Sequence, residues 1–125
     1  MLLGNFYQLV TSRREDDIVF GSIIFNADHA IFKGHFPHLP IVPGVCQLQI
    51  MEEIISHVLG KNMRLKRAAQ IKFLSFVNPN VQPRLDVILK IVKQEGPVLF
   101  VEGRCVWEET IFLKFKGEFG DSKRE

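Results

Sequence analysis

The stretch Gly34-His35-Phe36-Pro37-His38-Leu39-Pro40-Ile41-Val42-Pro43-Gly44-Val45, with the segment Cys46 to about Leu59 behind it, decides the fold. Pro37, Pro40 and Pro43 each fix their own φ and bias the preceding residue away from helix, so the chain runs here as a stiff, extended loop. Between Gly44 and Gly60 no Gly or Pro occurs, which predicts a helix closed by Gly60 and followed by basic Lys61. A rigid loop that feeds straight into a helix presents unpaired N–H groups and partial positive charge. Both suit a carbonyl oxygen that becomes negative during reaction. His35 stands nine residues before Gly44 on the same loop. An imidazole beside an oxyanion site is an arrangement for acid–base chemistry.

On a helical wheel Ile50, Ile54, Val58, Met51, Ile55, Leu48 and Leu59 fill one wide arc, and Gln49, Glu52, Glu53 and Ser56 fall within a narrow one opposite. A helix this apolar is wrapped by a sheet over most of its circumference. Before it, Phe6–Val10 reads equally as a short strand or a helical turn, residues 12–16 as a polar turn, and Asp17–Asn26 as a strand apolar on both faces and therefore covered on both. After it come Ala69–Val77, ending at Asn78-Pro79-Asn80, then Arg84–Lys93, Val98–Trp107 and Ile111–Glu118. The last three alternate apolar and polar residues, with Glu95-Gly96-Pro97 and Glu108-Glu109-Thr110 as turns. One helix followed by a meander of long strands predicts an α+β domain with an antiparallel sheet, a single domain over residues 1–125.

Bulk composition narrows the function classes. A formal net charge of +2 gives no electrostatic case for nucleic acid. Eleven Phe against one Tyr and one Trp imply a very apolar interior. No apolar run is long enough to span a membrane, and the start lacks the basic and apolar regions of a signal peptide. Cys46 and Cys105 lie in apolar elements and read as reduced, buried thiols of a cytoplasmic protein. His29, His35 and His38 share one loop, but their spacing matches no metal-ligand signature, so neither metal nor cofactor is expected; His57 reads as a packed or partly exposed helix residue.

The phrase GHFPHLPIVPGV resembles the GHFPxxPxxPGV motif of the FabZ/FabA family, the 3-hydroxyacyl-acyl-carrier-protein dehydratases of hot-dog fold. Residues 71–73 and 77–87 resemble the family's second segment, with Asn80, Val81 and Pro83 where Gly, Asp and Leu are usual. PGVCQLQ further resembles a dehydratase branch with Gln near the helix start, tied to secondary lipid or polyene pathways. The resemblance implies a long central helix gripped by a curved antiparallel sheet, a homodimer or higher homo-oligomer with each site between two subunits, and a substrate carried on acyl carrier protein. It implies His35 as the base and the N–H groups of Gly44 and Val45 as oxyanion donors. Phe36, Pro43, Leu48, Phe73 and Phe76 are expected to line an acyl tunnel.

The resemblance breaks at the second catalytic group. The family carries Glu or Asp fourteen residues after the histidine, and here that residue is Gln49, whose amide can orient but cannot protonate a leaving hydroxide. Glu53, one turn on, takes the place where the family has Gln, so the pair is exchanged between neighbouring positions. Three readings stay open: Glu53 reaches the site directly, through water or through Gln49; His35 and Gln49 suffice; or Glu52 and Glu53 are ordinary solvated charges. The expected activity is dehydration of carrier-linked 3-hydroxyacyl thioesters to trans-2-enoyl thioesters in fatty acid or related biosynthesis. A non-catalytic protein binding acyl chains or acyl carrier protein is the alternative that Gln49 favours, and an acyl thioesterase is a further one. Arg64, Lys66, Arg67 and Lys72 read either as a solvated strand edge and loop or as a docking patch for the acidic carrier.

Overall fold

In chain order the elements of the computed structural model, which describes residues 1–34 and 40–121, are strand β1 (Tyr7–Glu15), β2 (Ile18–Phe25), helix α1 (Ile31–Gly34), α2 (Gly44–Leu59), β3 (Met63–Phe73), β4 (Arg84–Glu95), β5 (Val98–Trp107) and β6 (Thr110–Asp121). The six strands form one antiparallel sheet in the order β1-β2-β4-β5-β6-β3. The α+β architecture of one long helix against an antiparallel sheet is therefore as the sequence predicts.

The sheet holds the helix by its apolar arc. Ile50, Met51, Ile54 and Ile55 of α2 are fully buried, as are Val19, Ile23, Leu85, Leu89 and Leu113 on the strands. Each such side chain contributes about 1.5–3 kcal/mol through burial, so the helix is fixed by packing rather than by its own propensity. Gly60 ends α2 in the left-handed conformation (φ 66°) with its N–H bonded to the Ser56 carbonyl, as its place in the sequence predicts.

Three local expectations need correction. Residues 12–15 are not a turn: they continue β1, and the chain reverses at Asp16 (φ 53°), where the local pairing with β2 outweighs the polarity of Ser12–Glu15. The third strand runs Met63–Phe73 rather than Ala69–Val77. It is the sheet's edge, paired only with β6, so most of its side chains are exposed and no alternation marks it. Finally, β2 is fully covered on one face and only partly on the other, where Ser22 is buried and Phe20 half-buried. Val19, Ile23 and Phe25 are buried toward the helix, while Ile18 and Ile24 are each 37% exposed on the other side.

Candidate active site

The loop that enters α2 is tied to the segment after β3 by a hydrogen bond from the Val42 N–H to the Val77 carbonyl (2.8 Å). Between the two lies a groove of about 580 Å³ lined by Ile41, Val42, Pro43, Gly44, Gln47, Phe73, Leu74, Ser75 and Phe76. It brings together four of the residues expected at the site, Pro43, Gly44, Phe73 and Phe76. Leu48 is half-buried against the core and is not among the lining residues. His35 and Phe36 lie outside the described residues.

The helix opens into this groove without a cap. Pro43 is the N-cap residue, no side chain among the described residues caps the first turn, and that turn holds no acidic residue. The Cys46 and Gln47 N–H groups return to the Pro43 carbonyl, while Gly44 and Val45 begin the helix ahead of them. An anion or developing oxyanion is the natural partner of such an end. Gly44 is required by close approach: a β-carbon built there falls on the Phe73 ring. Phe73 thus closes over the helix start only because position 44 has no side chain. The Val45 side chain is 72% exposed, and in the groove wall Phe73 (57%), Leu74 (52%) and Phe76 (74%) are exposed apolar side chains.

Gln49 and Glu53 occupy a different depression, of about 530 Å³, lined also by Met1, Leu3, Glu52, His57 and Arg64. Glu53 is buried rather than solvated, 8% exposed. Its Oε2 accepts from the Leu2 N–H (2.7 Å) and from Gln49 Nε2 (2.9 Å). Its Oε1 accepts from the Leu3 N–H (2.8 Å) and the Tyr7 hydroxyl (3.0 Å). The Tyr7 hydroxyl is held far above its ordinary pKa by burial, then by the Glu53 charge and the bond to it. Glu52 is likewise engaged, accepting the Leu65 N–H (2.6 Å). The Gln–Glu neighbour pair expected at i and i+4 is thus a direct hydrogen bond.

The basic residues of β3 divide. Arg67 bonds Glu118 (3.0 Å), and the Lys66 stem lies over Gly120. Lys72 pairs across the sheet with Lys114, and Lys114 with Arg104, which sets three cations side by side on adjacent strands. Among the described residues none of the three forms an ion pair. Away from the groove, His29 accepts the Ile31 N–H (3.1 Å) and packs edge-on against Phe6; His57 is exposed.

Of the lining residues, sequence reading did not name Ile41, Val42, Gln47, Leu74 or Ser75 for the site, and Gln47 is the polar one that is deeply buried. Gln47 is 3% exposed, and its Oε1 finds no donor among the described residues. The signal was available, since position 47 falls one turn before Ile50 and Met51 and two before Ile54 on the apolar arc.

A family model for the ApeI-like proteins, described as ApeI dehydratase, matches residues 11–105. The 3-hydroxyacyl-[acyl-carrier-protein] dehydratase FabZ of Clostridium beijerinckii is 28% identical over 112 residues, covering 79% of this chain and 78% of that protein. FabZ of Sulfurimonas denitrificans is 26% identical over 115 residues, 82% and 76% of the two chains. Among solved structures, the dehydratase heterocomplex ApeI:P of Xenorhabdus doucetiae matches with a TM-score of 0.69 at 16% identity, over 90% of this chain and 96% of that one. A Staphylococcus aureus thioesterase matches with a TM-score of 0.69 at 14% identity, over 95% and 96%. The shared architecture is the hot-dog fold, used by dehydratases and thioesterases alike.

Proposed function

Since the chain belongs to the ApeI-like dehydratase family, we propose that it removes water from 3-hydroxyacyl thioesters borne on acyl carrier protein, giving trans-2-enoyl thioesters. The observation that carries this reading is the uncapped start of α2 at Gly44 and Val45, opening into an apolar groove directly after the GHFP loop. The thioester oxygen accepts from these N–H groups, and the acyl chain lies along Pro43, Phe73 and Phe76. His35, by resemblance, takes the C2 proton. The C2–H electrons form the C2=C3 bond, the C3–O bond breaks, and the imidazolium returns its proton to the departing hydroxide, which leaves as water.

That route asks no acidity of Gln49. Its Nε2 is engaged by Glu53, and both side chains stand in the second depression rather than in the groove. Glu53 thereby fixes the orientation of Gln49. The resemblance to dehydratases that build each site between two subunits supports a homodimer. So do the outer edge of β3, unpaired among the described residues, and the exposed apolar side chains Val45, Phe73, Leu74 and Phe76. The carrier docks on the cationic side. Arg64, Lys66, Arg67 and Lys72 remain its candidate contacts, and the row Lys72–Lys114–Arg104 extends them next to the groove's Phe73. Two free, buried cysteines fit a cytoplasmic setting.

Incubation with a 3-hydroxyacyl-carrier-protein and mass analysis separates the alternatives. Loss of one water with the thioester intact is the expected result. Release of free carrier thiol marks a thioesterase, and an unaltered, bound substrate marks a non-catalytic binder.

A further inference from the structure

We infer that Gln47 is the residue that receives the 3-hydroxyl of the substrate inside the groove. The inference rests on the dehydratase reading above and adds to it a contact that the family resemblance does not supply. Gln47 lines the groove, is 3% exposed, and its carbonyl oxygen has no donor among the described residues. A buried amide oxygen without a partner destabilises a fold by about 1–3 kcal/mol, and sites that tolerate such a group are commonly those where a ligand satisfies it. Among the described residues the walls around it do not. Ile41, Val42, Pro43, Phe73, Leu74 and Phe76 are apolar, and Ser75 makes no hydrogen bond to it.

With no donor among the described residues, the partner we assign is one that enters the groove. A saturated acyl chain offers none. The N–H groups of the carrier arm lie on the far side of the thioester sulfur and lead out toward the carrier. The 3-hydroxyl is the donor that remains, and its position fits. Gly44 and Gln47 are three residues apart on one helix, hence neighbours on one face separated by about 4.5 Å along the axis. With the thioester oxygen on the Gly44 N–H, C3 lies two carbons further along the chain, within reach of the Gln47 amide. Accepting the O–H hydrogen leaves the lone pairs of the hydroxyl oxygen free for the proton that expels it. The enoyl product lacks this donor, so its dissociation follows from the same contact.

The test compares two unreactive ligands, 3-hydroxybutyryl- and butyryl-pantetheine amide, by calorimetric titration of the native protein, Gln47→Leu and Gln47→Met. Native protein is expected to prefer the hydroxylated ligand about tenfold, the worth of one neutral hydrogen bond plus relief of a buried unpaired acceptor. Both variants are expected to bind the two ligands alike, to raise KM for the 3-hydroxyacyl thioester about tenfold, and to melt no lower than the native protein. An undiminished preference in either folded variant overturns the inference. If the native protein turns over while the variants keep the preference, the dehydratase reading stands and Gln47 leaves it. If the preference is lost in the variants but no native turnover occurs, the contact stands and the reaction assignment falls.

Discussion

Replacing Glu53 with glutamine tests whether its carboxylate is a structural anchor for the start of the chain. In the native protein two oxygens accept four hydrogen bonds, from Leu2 N–H, Leu3 N–H, Tyr7 Oη and Gln49 Nε2, at 2.7–3.0 Å. Glutamine turns one oxygen into an NH2 group. Whichever side it takes, one backbone N–H, of Leu2 or of Leu3, then faces a donor, while the Tyr7 hydroxyl turns or the Gln49 amide flips to accept from the new NH2. Hydrogen bonds to a charged group contribute about 1.5–3 kcal/mol each, and donors left without acceptors add to the loss. Leu2 and Leu3 are only partly buried, so water recovers part of it. The net expectation is about 3 kcal/mol, a fall in Tm of about 10 °C for a domain of this size. Urea unfolding followed by circular dichroism measures it, with Tyr7→Phe as the control that removes one of the four donors and loses about 1 kcal/mol. A Glu53→Gln variant within about 0.5 kcal/mol of native would refute the reasoning, since surface substitutions fall in that range. If the variant also keeps native turnover at low temperature, Glu53 has no role through Gln49.

Gly44→Ala sets a methyl group on the Phe73 ring. Because Phe73 is largely exposed and can swing away, stability is expected to fall by less than about 1 kcal/mol while dehydration falls at least tenfold; the two readouts are Tm and kcat/KM. Burial pushes the Cys105 thiol up to about 12 and raises the Tyr7 hydroxyl well above its usual value. Both groups are kept neutral by folding, so their contribution is fully present below the ordinary thiol value of 9.0 and is lost as pH rises above it. Unfolding midpoints measured in steps through the alkaline range should therefore fall, less steeply in Tyr7→Phe. Charge reversal at Lys114 and Arg104 is expected to raise KM for a carrier-linked substrate several-fold and leave KM for a pantetheine-linked one unchanged; equal effects on both would remove that row from docking.

The fold was legible because it follows from a short list of local rules. Gly60, the prolines before Gly44 and the 3.6-residue periodicity of residues 48–59 fix one long helix, and the alternation in Arg84–Lys93 and Val98–Trp107 fixes the strands. The failures have separate causes. Alternation marks a strand only when one face is covered, and the edge strand β3 is largely exposed from Arg64 to Phe73. Ser12–Glu15 carry turn-like residues, yet pairing with β2 extends the strand through them. In the site, the motif led to the helix start and to Phe73 and Phe76. It did not lead to the anchoring of Glu53, whose donors Leu2, Leu3 and Tyr7 are distant in sequence. Gln47 escaped because a lone amide on an apolar arc carries meaning only once its burial in the groove and the lack of a donor among the described residues are known.

The most direct test of the central claim is turnover of a 3-hydroxyacyl-carrier-protein by the native protein beside His35→Ala and Gln49→Glu, with products resolved by mass. The expected result is loss of one water by the native protein, abolished in His35→Ala, with Gln49→Glu dispensable to that outcome. An inert native protein that gains turnover only as Gln49→Glu would contradict it, and would identify a binding protein built on a disabled dehydratase.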